Sequence, residues 1–459
     1  MDTALQTPHD NLDIRSIKTI HDYDLLITKD TKLRADIVGS KKDVQAFIAA
    51  AGTLHSVTEV LNEKHIRGTI STTSSHLKVF KHKTYNEAQV IANDRGQVMA
   101  CLQGSEGYLD ELKQKTEDGS SDQIVYTETP FFDCFRPSHE VFDFLDTLVQ
   151  QNLQFMTKFD NVSVTYEGRA IPGFRISTTL NATKASSPEK RTLYMQALLH
   201  AREWQAGAAT LYAMASMLDD LRAGDEAALR IFDKLDWYFV PIVNVDGYQY
   251  TWEVDRMWRT SRHLVEVHGH KVGVDLNRNW PPEDYFNQDP SIVNGETYPG
   301  AYPLSEQSAA GLFHFITSLK SLSGILDMHA FGSQVLRPFS NQPGSGDEPF
   351  GLRMQTLGNS VRNALSTKED VQYTSETGAH LYKAYGCFDD GMFLHYNLTV
   401  PVLTIEMQGA DFVAPQSSIR PVGKNIYLGL RQFAHEALEY RKFIVKEGYA
   451  DTFDRLSHL

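Results

Sequence analysis

Four short apolar runs, set apart by long helix-period stretches, constrain this chain more than any other feature. They are Leu193 to Leu199, Trp237 to Val243, Leu322 to Met328 and Pro401 to Ile405. Such alternation predicts an α/β domain whose mixed, mostly parallel central sheet is buried between flanking helices. Ser138-His139-Glu140-Val141-Phe142-Asp143-Phe144-Leu145 opens the domain as an amphipathic helix with a serine cap.

Each run finishes on polar residues of a particular kind. The first ends Leu199-His200-Ala201-Arg202-Glu203-Trp204, the second Asn244-Val245-Asp246-Gly247, the third Asp327-Met328-His329 and the fourth Thr404-Ile405-Glu406. In open α/β sheets ligands bind beyond the carboxyl ends of the strands, so two His and two Glu are placed where chemistry is expected. His200 and Glu203 lie three apart across a strand-to-helix turn and can face one centre, with His329 reaching it from another strand. Two His and one Glu leave a fourth position open, which is a catalytic zinc set. Zinc so held brings the pKa of water down towards ~7. Glu406 is then the candidate base that takes the water's proton and passes it to a leaving amine. A lone His-x-x-Glu is a weak signal; its conjunction with the other strand ends carries the reading.

His200-Ala201-Arg202-Glu203-Trp204 resembles the zinc motif of the funnelin metallocarboxypeptidases, the pancreatic carboxypeptidase A and B type. Asn244 to Tyr248, Arg256-Met257-Trp258-Arg259, Gly273 to Trp280, Tyr298-Pro299-Gly300 with Ser305-Glu306, and Ile405-Glu406 follow in that family's order. The resemblance runs from about Phe135 to Tyr440. It implies zinc on His200, Glu203 and His329, Glu406 as general base and Arg259 as the cation that polarises the scissile carbonyl. Asn277 and Arg278 match the pair gripping the substrate's terminal carboxylate, a grip that makes an exopeptidase because an internal peptide bond offers no such anion. Arg202 matches a further arginine on the substrate path, and Tyr382 the mobile tyrosine that closes over the bound residue. Asp389, seven residues beyond Tyr382, takes the acidic form found in members that remove Lys or Arg, and Ser340 fits the same B-type wall. The implied substrates are therefore peptide or protein C-termini ending in Lys or Arg. An A-type preference for aromatic or aliphatic ends, or a catalytically silent binding relative, are the alternatives. Departures from the pattern are Phe331 for the usual tyrosine, Arg337 as a cation expected near the pocket, and Gly386-Cys387-Phe388 where paired glycines are usual.

The first ~120 residues read differently. Arg34 to Val38 alternates as a strand, Lys41 to Ala51 follows at helical spacing, and Glu111 to Asp122 is the best linker in the chain. Residues 1–118 occupy the place of the family's small α+β activation domain, with residues 119–459 as the catalytic domain. The chain is thus expected as a zymogen cut by an activating protease between about Lys113 and Asp122. Acidic residues outnumber basic ones, 58 to 44, so a nucleic-acid partner is not expected. No apolar run of about 18 residues predicts a membrane span. Three Asn-x-Ser/Thr sequons, at Asn161, Asn181 and Asn397, are compatible with a secreted protein, while Met1 to Asp10 shows no secretory signal; a vacuolar or other compartment stays open. Cys101, Cys134 and Cys387 allow one bridge at most, and the sequence leaves its partners open.

Overall fold

The computed structural model describes residues 98, 101–117, 124–180, 190–267, 269–286, 295–342, 348–366 and 371–449, together with the backbone of four strands between residues 32 and 93. Those four, β1 (Lys32–Ser40), β2 (His55–Val60), β3 (His65–Thr73) and β4 (Gln89–Asn93), form an antiparallel sheet in the order β2-β3-β1-β4. The strand expected at Arg34 to Val38 falls within β1; the helix expected at Lys41 to Ala51 lies outside the described residues. Helix α1 (Tyr108–Glu117) occupies the first part of the stretch read as a linker. Its polar residues look out, whereas Tyr108 and Leu112, one turn apart, are buried inward and hold it as a helix.

Beyond it stand α2 (Ser138–Gln151), β5 (Met156–Val164), β6 (Ala170–Ile176), β7 (Arg191–Ala197), α3 (Trp204–Ala223), α4 (Glu226–Phe232), β8 (Leu235–Val240), α5 (Val245–Glu253), β9 (Leu264–Val267) and β10 (His270–Gly273). The second half adds α6 (Gln307–Ser318), β11 (Leu322–Ala330), β12 (Gln334–Arg337), α7 (Phe350–Leu365), β13 (Thr374–Thr377), α8 (Gly378–Leu381), α9 (Phe388–His395), β14 (Val402–Met407) and α10 (Ile419–Lys446). Eight strands make one mixed sheet in the order β13-β12-β14-β11-β7-β8-β6-β5. The four apolar runs are its four adjacent central strands, β14-β11-β7-β8, all parallel. The flanks reverse: β12 runs antiparallel to β14, and β6 and β5 antiparallel on the other side. Because the central four run the same way, their carboxyl ends meet at one edge of the sheet, and the chemistry lies there.

β11 shows why these runs read as uniformly apolar. All nine of its residues are buried, without the alternation of a half-exposed strand. Helix α10 approaches so closely that a Cβ on Gly324 would lie 2.8 Å from Phe433 Cε1 and 2.9 Å from Leu193 Cδ2. On that same face α7 packs across β12 and β13 and against α10. Arg337 is found there: its stem lies against Gly358 of α7. The sequence places Arg337 near the substrate pocket; the structure turns it to the opposite face, because strand alternation puts Leu336 and Arg337 on different sides of β12.

Candidate metal centre and active site

The turn after β7 begins with Leu198 in the left-handed region (φ 59°), an uncommon conformation for a branched residue that swings His200 and Glu203 back across the sheet edge. Glu203 is the N-cap residue immediately ahead of α3. His200 Nδ1 lies 2.8 Å from Glu203 Oε1, and His329 Nδ1, from β11, lies 2.9 Å from Glu203 Oε2. One donor atom from each of the three lies within 4.8 Å of the others, and all three side chains are buried. The far sides of both rings are carboxylate-backed: His200 Nε2 is 3.0 Å from Asp275 Oδ1, and His329 Nε2 is 2.8 Å from Asp327 Oδ2. That backing fixes each ring with Nδ1 inward and makes it a better ligand. Burial alone would raise Glu203 and lower His329, yet Glu203 is held below the usual carboxylate range by the two histidines, and Asp327 and Glu203 hold His329 well above its own. These opposite shifts are the mutual stabilisation of ion-paired groups, and the donor set of two imidazoles and one carboxylate fits zinc.

Glu406 sits beside this cluster. In the parallel β11–β14 register it pairs with His329, so both project from the same sheet face. Its Oε2 is buried with no hydrogen-bond partner among the described residues, and burial first, then the Glu203 charge, pushes the carboxyl up. Arg259 closes the opposite flank. Its Nη1 is 4.0 Å from Glu203 Oε1, while its Nε and Nη2 donate to Asp275 Oδ2 at 3.2 and 2.9 Å. Asp275 thus orients both His200 and Arg259. Burial opposes its charge, but Arg259, His200 and Arg278 keep it well below the usual range.

Asn277 and Arg278 lie one step further on. Arg278 is buried and donates through Nη2 to the Tyr382 hydroxyl at 3.0 Å, while its Nη1 is 3.5 Å from Cys387 Sγ. The Tyr382 ring is exposed. Asn277 Oδ1 accepts from Phe388 N at 2.8 Å and so ties the start of α9 to this loop; its Nδ2 is 3.3 Å from His329 Nε2. Gly386 is required here: at φ 65°, a Cβ would lie 2.2 Å from the Arg278 carbonyl oxygen. Asp389, in the first turn of α9, is 4 % exposed, and burial, then the charge of Asp327, pushes it up to about 6. Asp390 is pushed up to about 7 by burial, with Oδ2 accepting from Ser340 N at 2.7 Å and from the Tyr285 hydroxyl. Ser340 and Cys387 are buried alongside, and burial holds the Cys387 thiol up at about 11.

Arg202 is placed differently from the others. Its guanidinium makes two bonds to Glu296, at 3.0 and 3.2 Å, and lies 4.2 Å from the centre of the Phe412 ring. Arg256 clamps the same turn from below, donating to the carbonyls of Arg202 and Phe412 at 2.8 Å each. The sequence reading missed Asp275 and Asp327. For Asp327 a signal was present, since Asp-x-His within a strand puts both side chains on one face.

A mixed sheet bearing this His–Glu–His cluster at its carboxyl edge is the architecture of the metallocarboxypeptidases. Over 89 % of this chain and 99 % of the other, it matches the crystal structure of thrombin activatable fibrinolysis inhibitor (TM-score 0.64, 20 % identity). It also matches carboxypeptidase A from Helicoverpa armigera over 89 % and 98 % (TM-score 0.60, 23 % identity). In sequence, residues 141–429 match the model of the zinc carboxypeptidase family, peptidase M14, and the chain belongs to that family. Similar relatives are carboxypeptidase B2 of Rattus norvegicus (25 % identity, covering 72 % of this chain and 79 % of the relative) and carboxypeptidase O of Homo sapiens (28 %, covering 64 % and 76 %). The inactive metallocarboxypeptidase ECM14 of Saccharomyces cerevisiae is 23 % identical, covering 67 % and 72 %. No helix among the described residues is long and apolar enough to cross a membrane.

Proposed function

We propose that the protein is an active zinc exopeptidase releasing single C-terminal residues, with a preference for Lys and Arg. The observation that carries activity is the joint presence of the converged His200, Glu203 and His329 and a buried, unpartnered Glu406 oxygen beside them. Zinc held by those three would supply Lewis acidity, polarising the scissile carbonyl and acidifying water. Arg278 binds the terminal carboxylate in a water-poor setting, where charge-assisted bonds are strong. Tyr382, already bonded to Arg278, swings its exposed ring over the bound residue. Glu406 accepts the proton of the attacking water at its free Oε2 and returns it to the leaving nitrogen; a carboxyl raised by burial suits both halves of that transfer. Arg259, aligned by Asp275, stabilises the developing oxyanion.

The basic preference rests on Asp389. Among the described residues no Lys or Arg pairs with this buried carboxylate, so it is costly to ionise, and a Lys or Arg side chain of the substrate supplies the missing charge. The N-terminal antiparallel sheet supports a precursor form, cut between Lys113 and Asp122. The Cys101–Cys134 disulfide supports synthesis for an oxidising, secreted setting. Hydrolysis of blocked dipeptides ending in Arg and in Phe, before and after limited proteolysis and with or without a zinc chelator, tests the whole reading. Turnover of the Arg reporter that chelation stops is expected. No turnover of either reporter under any condition would mean a silent binding protein.

A further inference from the structure

The segment ahead of the family-matched region is built into the catalytic body. Val98, Leu102, Tyr108 and Leu112 are buried in the same core as Phe131, Phe132 and Phe144. The Tyr108 ring meets Phe131 edge-on at 6.1 Å, and Arg136 stacks over Tyr108 at 4.5 Å while donating to Ser105 Oγ at 2.8 Å. Gln151 of α2 donates to the Leu112 carbonyl at 2.8 Å. Cys101, ahead of α1, is disulfide-bonded to Cys134, on the catalytic side. The bridge therefore spans the stretch from Lys113 to Asp122 in which activation cleavage is placed.

We propose that a cut in that stretch nicks the chain without freeing its N-terminal part, whose departure needs two inputs: a protease and a dithiol reductant. This rests on the precursor reading given above. After the cut, one water has been added across a peptide bond, yet Cys101 and Cys134 still join the two chains. Release proceeds by exchange: a thiolate of the dithiol attacks the Cys101 sulfur, and Cys134 leaves as a thiol. The dithiol's second sulfur then displaces Cys101, so that two protein thiols and one reductant disulfide result. Cys101 is half-buried and Cys134 2 % exposed, so Cys101 is the sulfur that reagent can reach. The remaining cysteine, Cys387, is a buried free thiol and takes no part.

The test is limited trypsin treatment of the oxidised full chain, whose Lys113 and Lys115 side chains are exposed. The cut protein is expected to run as one species on a denaturing gel without reductant and as two chains with it. In size exclusion under denaturing urea, which removes the core packing, the N-terminal chain is expected to leave with dithiothreitol and to stay with oxidised dithiothreitol. Cys134→Ser is expected to release it on cutting alone; if that variant does not fold, the wild-type chromatograms decide. Two chains without reductant, co-elution despite reductant, or resistance of the stretch to trypsin each overturn the proposal. Equal hydrolysis of the Arg reporter before and after cutting would instead sink the precursor reading, and the gels register the tether independently of it.

Discussion

Replacing Asp389 by isoleucine removes the one carboxylate to which the substrate preference is assigned, and the structure sets the size of the effect. Asp389 is 4 % exposed and its carboxyl is pushed up to about 6, from an ordinary 3.8, first by burial and then by Asp327. Ionising it inside the pocket thus costs about 3 kcal/mol more than in water. A cationic side chain offsets that cost, whereas an apolar one leaves it standing. Truncating one partner of a buried charge pair costs about 2–5 kcal/mol. Asp389→Ile should therefore lower kcat/KM for a C-terminal Arg reporter by about thirty- to several-thousand-fold at pH 7.5. The same change should raise kcat/KM for a Phe reporter, since no carboxylate remains to be desolvated. The pH dependence has a definite sign: a cationic ligand needs the ionised carboxylate. Wild-type kcat/KM for Arg is thus expected to fall as pH drops through about 6, with no matching fall in the Arg-to-Phe ratio of Asp389→Ile. Arg337 cannot compensate, because it lies on the other face of β12 against Gly358. An Arg-to-Phe ratio that moves less than about threefold on substitution, against the hundredfold scale expected, refutes the argument.

Glu406→Gln should lower kcat by about 10²–10⁴ while zinc stoichiometry, measured by elemental analysis, is unchanged, since its free oxygen is assigned to proton transfer. Asp327→Asn, which weakens the support of His329 Nε2, should loosen zinc by about 10- to 100-fold in a competition titration with a chromophoric chelator. Gly324→Ala should cost about 1–3 kcal/mol in urea unfolding, because the new methyl meets Phe433 and Leu193 on two sides; an unchanged midpoint would show that α10 can yield. Reducing Cys101–Cys134, which are 33 residues apart, should cost about 3–4 kcal/mol in the same assay.

Much of the site was legible because strand ends in a parallel sheet share an edge. Once Leu193 to Leu199, Leu322 to Met328 and Pro401 to Ile405 are strands, the residues that terminate them become neighbours whatever their separation along the chain. The flanking strands were less legible. β12 and β13 are only four residues each, and their reversal against β14 follows from tertiary pairing rather than from any pattern inside them. Helix α1 was hidden for a related reason: Tyr108, Leu109 and Leu112 are three apolar marks at the head of an otherwise polar stretch, and only the core surface they meet makes them a helix face.

The sequence by itself determined the chemical inventory: two imidazoles, one carboxylate ligand, a further carboxylate and the arginines, each at or near the end of a recognisable element. It did so because periodicity and residue type are local properties. Only the tertiary structure decided that both rings turn Nδ1 inward with Asp275 and Asp327 behind them, that Arg202 is paired to Glu296, and that Cys101 meets Cys134. Those outcomes depend on which distant side chains are brought within a few ångströms, and chain closure over tens to hundreds of residues leaves no trace in local spacing.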